Sequence, residues 1–378
     1  MLFRPPVLTS PEIQVIESIA KAKETISFAT NERRWVGLLR RNAFARAIRG
    51  SNSIEGYNVT VEDAIAVAVG DQPADASPRL FQVIAGYRNA MTYALQLSDD
   101  PHFAYEEGLI RALHFMIMSY DLAKSPGKWR PGPIFVRNDD RGEIVYEGPE
   151  AEQVPSLMGE FVESLKTKDS LPVVVRAAMA HLNLVMIHPF SDGNGRMARC
   201  LQTLVLAREK ILHPWFCSIE EYLGANSADY YKILAETGEG KWNPKSNTRA
   251  WIRFCLTAHH RQGETLLRRQ RMMSRLWGEL ENQMTKRKLP ERMMGALIDA
   301  AMGLRVRNAT YRAWAEVSDN LASRDLKVLV DARFLEPKGD RRGRSYIASD
   351  SLSKLASQFK ERGPIPDPFI EVGQTQLF

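Results

Sequence analysis

The chain has 378 residues, which is long enough for two or three domains with a buried core. Its 44% hydrophobic and 25% charged residues are the ordinary balance of a soluble globular protein. No apolar stretch approaches the roughly 18 residues that a membrane span requires, which argues against a membrane protein. The N-terminus, MLFRPPVLTSPE, lacks the apolar core and cleavage site of a secretory signal, so we expect a cytoplasmic protein.

Cysteine usage agrees with that location. Cys200, Cys217 and Cys255 are too few and too scattered for a disulfide framework or a zinc site. Cys217 and Cys255 have apolar neighbours, and we interpret them as buried thiols in a reducing compartment.

The net charge of +6 is unevenly distributed. Residues 261–346 carry 19 Lys and Arg against 11 Asp and Glu, which leaves the rest of the chain slightly acidic. A basic C-terminal third predicts a module with its own partner, either nucleic acid or another protein.

Apolar residues recur at helical spacing along most of the first 270 residues. The segment 71–79 is rich in Asp, Pro and Ser and predicts a loop. The charged stretch 266–287 predicts a connecting helix. The other predicted helices lie at 13–20, 35–44, 64–69, 83–97, 106–118, 156–165, 173–187, 194–208, 224–234 and 247–270.

One segment of this helical part predicts strands. The triplets 134–136 and 144–146 are apolar and flank the polar residues 138–142, which is the pattern of a β-hairpin. A lone hairpin is only marginally stable by itself, so it either packs as a flap or offers its edge to a peptide. The pattern by itself favours the packed flap.

Residues 290–350 change character. Three helices are predicted at 293–302, 310–317 and 318–332, followed by strands at 334–336 and 346–347 around a basic turn. This order is typical of a winged helix-turn-helix. Arg324 and Lys327 would be exposed on the recognition helix, and the basic residues of the wing would be Arg341, Arg342 and Arg344. Three aspartates would blunt the positive face, namely Asp319, Asp325 and Asp331.

The most informative run lies between two predicted helices and reads His188-Pro-Phe-Ser-Asp-Gly-Asn-Gly-Arg-Met-Ala-Arg199. Its two glycines let backbone N–H groups turn inward at the start of the next helix, where an anion is favoured. Arg196 and Arg199 are one turn apart and can neutralise the same phosphate group. Asp192 is suited to hold Mg²⁺, and His188 to act as a general base.

Each of these residues also has a structural interpretation. His188 and Asn194 would then cap helices, Phe190 would be a core residue, and the arginines would be surface charges. That interpretation requires five coincidences within twelve residues, so the run favours a phosphate site.

The run resembles the signature of the Fic family, His-Pro-Phe-x-Asp/Glu-Gly-Asn-Gly-Arg-x-x-Arg, at every fixed position. The resemblance implies transfer of AMP from ATP to a protein hydroxyl, with Mg²⁺ as cofactor. It implies His188 as base, Asp192 as Mg²⁺ ligand and the backbone of 193–195 (Gly193, Asn194, Gly195) as phosphate cradle. Arg196 and Arg199 would hold the outer phosphates. Related toxins of the Doc type, which phosphorylate their targets, have lysine in place of Gly195.

A second motif lies far upstream. Ser51-Asn-Ser-Ile-Glu55-Gly56 is similar to the Ser/Thr-x-x-x-Glu-Gly/Asn pattern that inhibits many Fic proteins. The resemblance implies that the Glu55 carboxylate pairs with Arg199 and removes the charge that would receive a γ-phosphate. ATP would then bind only in an unproductive pose.

The resemblance also changes the interpretation of two other segments. Fic proteins have a flap that holds the target by main-chain pairing, so 134–146 becomes a docking site for the target protein. Asn226-Ser-Ala-Asp-Tyr230-Tyr231 is similar to a stretch that lines the family's adenosine pocket, which implies nucleotide binding by Tyr230 and Tyr231.

We therefore predict a mainly α protein, a Fic-type helical bundle with a β-hairpin flap and a C-terminal winged helix-turn-helix domain. The predicted parts are an N-terminal region (1–105) containing the inhibitory motif (51–56), a catalytic core (106–260), a connecting helix (261–289), a winged-helix domain (290–350) and a tail (351–378).

The predicted function is AMP transfer from ATP to a target protein and to the chain itself, inhibited by Glu55. One alternative is a DNA-binding regulator acting through 290–350, and another is removal of AMP from a modified protein by the same site. The sequence leaves both a monomer and a homo-oligomer open.

Overall fold

The computed structural model describes residues 1–30, 34–71, 73, 76–137, 142–167, 170–209, 218–339 and 344–370. Helices dominate these residues, as predicted. No helix among them is both long and apolar enough to cross a membrane.

The first part of the chain is a bundle built around α7 and α8. Nearly every residue of α7 is buried, as its continuous apolar run predicts. The helices of this part are α1 (Ser10–Thr30), α2 (Val36–Ile54), α3 (Val61–Ala68), α4 (Pro78–Leu97), α5 (Glu107–Met118), α6 (Val154–Lys166), α7 (Val173–Ile187), α8 (Asn194–Arg208), α9 (Glu220–Ala225) and α10 (Ser227–Gly238).

The predicted hairpin is present as β1 (Phe135–Arg137) and β2 (Ile144–Glu147), which pair antiparallel with a register shift after Val136. Its tip, 138–141, lies outside the described residues. The Tyr146 hydroxyl donates to the carbonyl of Met186 at 2.8 Å, in the last turn of α7. The hairpin therefore packs beside the loop that follows α7.

A single 38-residue helix, α11 (Arg249–Lys286), leads to the C-terminal elements. The sequence predicts two overlapping helices here. In the structure they form one helix, since no proline interrupts residues 249–286. The remaining elements are α12 (Met294–Ala301), α13 (Asn308–Ala315), α14 (Asp319–Asp331), β3 (Leu335–Lys338), β4 (Ser345–Ala348) and α15 (Asp350–Phe359).

Three helices followed by an antiparallel strand pair is the predicted order for this part. Arg341 and Arg342 of the predicted wing lie outside the described residues, and so does Cys217. The predicted tail, 351–378, begins with the helix α15, which extends to Phe359. Ser349 caps α15, and Leu352 and Ala356 bury one face of it.

The C-terminal elements pack on α2 and α3. Arg41 of α2 forms an ion pair with Asp299 of α12, and Arg307 forms another with Asp63 of α3 at 3.1 Å. Arg41 and Asp299 are both largely buried, and one hydrophobic core runs through both parts of the chain. The helix that carries Ser51 and Glu55 is thus held from the C-terminal side.

Candidate active site

The loop between α7 and α8 begins at His188, which ends α7 in the left-handed conformation with φ 51°. Its Nδ1 lies 3.1 Å from the carbonyl oxygen of Val185. Because a carbonyl only accepts, Nδ1 carries the proton and Nε2 keeps a lone pair in the neutral ring. Burial lowers the pKa of His188, and the charge of Arg130 lowers it further. The side chain is therefore a neutral base at physiological pH.

Phe190 and Asn194 hold the loop closed. The Asn194 side-chain amide accepts from the Phe190 N–H at 2.9 Å and donates to the Phe190 carbonyl at 2.8 Å. Both residues are buried. Asn194 thus fixes the loop through its side chain, while its backbone N–H opens α8.

Gly193 occupies a position that another residue could fill only with strain. Its φ is +77°, and an added Cβ would lie 2.8 Å from Cγ and Sδ of Met118. Its N–H donates to Oδ1 of Asp192 at 2.6 Å, which turns that half-buried carboxylate toward the start of α8.

Arg196 lies buried above two aromatic rings. Its guanidinium carbon is 5.3 Å from the ring centre of Tyr57 and 5.6 Å from that of Tyr120, and Nη2 donates to the Tyr120 hydroxyl at 3.0 Å. Nε and Nη1 are buried and have no hydrogen-bond partner among the described residues. A buried guanidinium with two unused donors is suited to accept an anionic ligand.

Arg199 is also buried, and its donors face the motif Ser51–Gly56. Nε donates to the Ser51 hydroxyl at 2.8 Å, and Nη2 donates to the Ser51 carbonyl at 2.9 Å and to Oε1 of Glu55 at 2.6 Å. Burial alone would lower the pKa of Arg199, but the charge of Glu55 outweighs it and raises that pKa above its usual value. The structure thus brings together the two motifs, which lie 144 residues apart in the chain.

Glu55 is the C-cap residue of α2 and directly precedes a glycine turn. Gly56 has φ +81°, its N–H donates to Ser53, and the Tyr57 N–H donates to Asn52, which is the Schellman arrangement. The turn ends the helix and leaves the Glu55 side chain directed at α8.

The Glu55 carboxylate occupies the position where an anion would bind. A Cβ added to Gly195 would lie 2.5 Å from its Oε1 and 3.1 Å from Nη1 of Arg199. Glu55 therefore covers the first turn of α8, where unpaired N–H groups and the helix dipole favour negative charge.

Tyr230 and Tyr231 have different surroundings. Tyr230 is 1% exposed, and its hydroxyl pairs with Nε2 of His181 at 2.9 Å. Its ring centre lies 6.0 Å from the guanidinium carbon of Arg199. Tyr231 is exposed, and its hydroxyl donates to the Ile54 carbonyl at 3.0 Å. Tyr230 supports Arg199 from the core, whereas Tyr231 borders the end of α2.

His114 of α5 is a further residue of the candidate site, and no sequence motif identifies it. Its Nδ1 accepts from the Gly127 N–H at 2.9 Å and its Nε2 donates to the Asp192 carbonyl at 2.8 Å, which defines a neutral tautomer. The ring stacks on Phe190 with centres 3.5 Å apart. Burial lowers the pKa of His114 to about 4, so the ring stays neutral while it positions Asp192.

Arg130 is another such residue. Its guanidinium donates to the carbonyls of His188 (2.9 Å), Gly132 (2.6 Å) and Pro149, and so ties the hairpin to the catalytic loop. The contacts of His114 and Arg130 join segments that are distant in the sequence, so no local motif identifies these residues. The only sequence indication is that His114 lies on the inner face of a predicted helix.

The residues of the loop fit a magnesium ion that is shared with phosphate groups. Among the described residues, no three His, Cys, Asp or Glu side chains are arranged to hold a metal by themselves. Mg²⁺ in nucleotide sites is commonly held by one or two carboxylates together with phosphate oxygens and waters. Asp192, next to the start of α8, matches that requirement.

Comparison with known proteins agrees with the motif. Residues 104–206 match the Fic/DOC family. The chain is 26% identical over 207 residues to the protein adenylyltransferase Fic of Nematostella vectensis, across 54% of this chain and 45% of that relative. It is 32% identical over 151 residues to a probable protein adenylyltransferase of Aquifex aeolicus, across 39% of this chain and 45% of that relative. The chain thus spans about half the length of these curated relatives.

Solved structures share the fold. A Fic family protein from Desulfovibrio desulfuricans superposes with a TM-score of 0.59 and 24% identity, over 92% of this chain and 99% of that one. A Fic domain containing signaling protein from Bacteroides thetaiotaomicron superposes with a TM-score of 0.53 and 21% identity, over 69% of this chain and 97% of that one. The predicted Fic-type helical bundle is confirmed, while the winged-helix assignment of 290–350 stays a prediction.

Proposed function

Because residues 104–206 form a Fic domain, we propose that this chain transfers AMP from ATP to a hydroxyl side chain of a target protein and of itself. The observation that carries the proposal is the placement of a neutral His188, with Nε2 unprotonated, beside a helix start that bears the buried Arg196 and Arg199. A base next to an anion site is what attack by a hydroxyl on a phosphate requires.

In the proposed reaction, Nε2 of His188 takes the proton of the target hydroxyl. The hydroxyl oxygen forms a bond to the α-phosphorus, and the bond from that phosphorus to the oxygen bridging to the β-phosphate breaks, which releases pyrophosphate. The N–H groups of Asn194 and Gly195 stabilise the charge on the phosphates, together with Arg196 and Arg199. The N–H of Gly193 joins them once it leaves Oδ1 of Asp192. Asp192 would hold Mg²⁺, which neutralises phosphate charge when bound.

The same geometry supports inhibition by Glu55. Its carboxylate takes a donor of Arg199 and covers Gly195, so a γ-phosphate and Glu55 compete for the same place. The Ser51 hydroxyl and carbonyl hold Arg199 toward Glu55. We infer that ATP binds productively only after the end of α2 moves away.

The hairpin is the proposed docking site of the target. Val136 pairs with Tyr146, and Gly148 donates to Ile134, so the N–H and carbonyl of Phe135 point away from β2. The opposite edge is already used, since Glu147 bonds to residues 240–242. An extended target segment can therefore pair at Phe135, next to the anchored loop.

Labelled nucleotide tests the proposal. Glu55→Gly protein incubated with MgATP labelled on the α-phosphate should label itself and lysate proteins, and Glu55→Gly/His188→Ala protein should label neither. ATP labelled on the γ-phosphate should give no signal, since a signal would mean phosphorylation. Loss of label from a previously modified protein would favour AMP removal instead.

DNA binding by 290–350 is a second candidate function, supported by one observation. Arg324 and Lys327 are exposed on α14, whereas Asp325 is buried and pairs with Arg292 at 2.7 Å. Asp325 therefore does not blunt the basic face, contrary to the sequence expectation. A gel shift that weakens with salt and is lost in Arg324→Ala/Lys327→Ala protein would support this function.

A further inference from the structure

A cavity of about 690 Å³ lies between α11, α12, β4 and α15, with Arg46 of α2 at its border. It is separate from the catalytic loop, because none of the residues 188–199 lines it. Ligand sites of small molecules commonly have volumes of about 300–1,000 Å³. Its size is therefore that of a ligand site rather than of a packing defect.

Positive charge exceeds negative charge in the wall of the cavity. Four lining side chains are cations and one, Glu361, is a carboxylate; the cations are Arg46, Arg268, Arg269 and Lys360. The described residues thus leave this wall cationic.

The nearby carboxylates are already engaged. The Glu221 carboxylate accepts hydrogen bonds from Nη1 and Nη2 of Arg269 at 2.6 and 2.7 Å. Nη1 of Arg46 is 3.6 Å from the same carboxylate. The Glu361 carboxylate likewise accepts two hydrogen bonds from Arg271, at 2.6 and 2.8 Å, and Nε of Arg268 lies 3.9 Å from it. Each carboxylate therefore neutralises one arginine well and a second one poorly.

The rest of the wall is mostly apolar, with three hydroxyl side chains among its residues, namely Thr265, Ser353 and Ser357. Met272 contributes from α11, Met302 and Leu304 from the segment after α12, and Ile347 and Ala356 from β4 and α15. These side chains and the cations line the same cavity. A ligand that pairs with the cations and also contacts the apolar side chains has an anionic group joined to an apolar body.

We propose that this cavity binds a small amphipathic anion, with its carboxylate, sulfonate or phosphate group held by Arg46, Arg268 and Lys360. Its apolar body packs on the methionine and isoleucine side chains opposite. The ligand bridges α2 to the C-terminal elements, since its anionic group is shared by helices from both parts of the chain.

Fluorescence titration of the full chain tests the proposal, with anilinonaphthalene sulfonate as probe and uncharged phenylnaphthylamine as the matched neutral probe. The sulfonate should bind one site per chain more tightly than the neutral probe. Arg268→Gln/Lys360→Gln should weaken sulfonate binding by about tenfold and leave neutral binding unchanged, because only the charge contacts are lost.

Lys354→Gln is the matched control, since Lys354 is exposed on α15 and does not line the cavity. It should bind the sulfonate as the unmodified chain does. Melting temperatures measured on the same samples separate loss of charge contacts from loss of fold. Equal affinities for the two probes, or equal sulfonate affinity in the double variant and the unmodified chain with intact fold, would overturn the proposal.

Discussion

Nη2 of Arg199 donates to Oε1 of Glu55 at 2.6 Å, and that same oxygen would lie 2.5 Å from a Cβ added to Gly195, so the carboxylate covers the start of α8. Arg199 is buried, and Glu55 retains 26% exposure. The arginine is thus fixed by the core, whereas the glutamate can leave toward solvent. We therefore propose that release of Glu55 exposes a cation and helix N–H groups that are already positioned for phosphate.

Glu55→Gln protein should have activity between that of the unmodified chain and that of Glu55→Gly. The amide keeps the size of the side chain, but it replaces a charged hydrogen bond to Arg199 with a neutral one, a loss of about 1 kcal/mol, or roughly fivefold. Initial rates of α-phosphate incorporation measure the effect. Glu62→Gln is the control, because Glu62 pairs with Arg305 away from the site and its loss should leave the rate unchanged.

The acid limb of the pH–rate profile should reflect protonation of His188. Burial lowers its pKa, and the charge of Glu55 raises it, so Glu55→Gly protein should have a still lower value. The base must be neutral to accept a proton, and kcat/KM should therefore stay constant down to below about pH 6.5, the ordinary histidine value. A limb centred at pH 7 or above would be inconsistent with His188 as the base in this environment.

Phe135→Pro should reduce target labelling by the Glu55→Gly enzyme. Proline removes the outward N–H of β1 that an extended target would use, and edge strands otherwise tolerate proline. Phe135→Ala, which keeps the N–H, separates main-chain pairing from side-chain contact. Labelled lysate proteins are counted for both variants at matched ATP. Equal loss in both would show that the aromatic side chain, not the strand edge, holds the target.

Glu220→Gln should stabilise the protein above pH 7. Burial raises the pKa of Glu220 to about 7, although Tyr87 and Thr203 donate to it at 3.1 and 3.3 Å. Between pH 4.5 and 7 the folded state holds a proton that the unfolded state has released, so its contribution to the free energy of unfolding falls as pH rises through that window. The uncharged amide removes this loss, by up to about 3 kcal/mol at pH 8.

Glu221→Gln gives the opposite sign and serves as the comparison. Burial raises the pKa of Glu221, but the hydrogen bonds and charge of Arg269 outweigh it and hold that pKa below its usual value. Its carboxylate is therefore stabilising at pH 8, and the amide should lower the free energy of unfolding. Urea unfolding at pH 5 and pH 8 checks both variants, and a common sign for the two would refute the assignment.

The run from His188 to Arg199 could be proposed as a site from the sequence because its residues are local: a histidine, a carboxylate, two glycines and two arginines follow one another within one loop and the first turns of α8. The pairing of Glu55 with Arg199 came from the family resemblance, since 144 residues separate them. His114, Arg130 and the Tyr57 ring under Arg196 could not be found that way. Their roles arise from contacts between distant helices, which neither periodicity nor composition encodes.

The sequence predictions for two helices, α15 and α11, differ from the structure for related reasons. The helix α15 lies in the predicted tail although Leu352, Leu355, Ala356 and Phe359 recur at helical spacing. A helix of ten residues is marginal by itself, and packing on α11 and α12 stabilises it. The unbroken α11 was predicted as two segments because its buried residues move from the bundle to the C-terminal elements along its length. In both cases the tertiary partner, not the local pattern, decides the structure.

The central claim is that Glu55 withholds Arg199 from ATP and that His188 performs the transfer. Intact-mass measurement of the purified chain after incubation with MgATP tests it most directly. Glu55→Gly protein should gain the mass of one or more adenylyl groups, the unmodified chain little or none, and Glu55→Gly/His188→Ala protein none. An adduct on the unmodified chain equal to that on Glu55→Gly, or an adduct that survives loss of His188, would contradict the account.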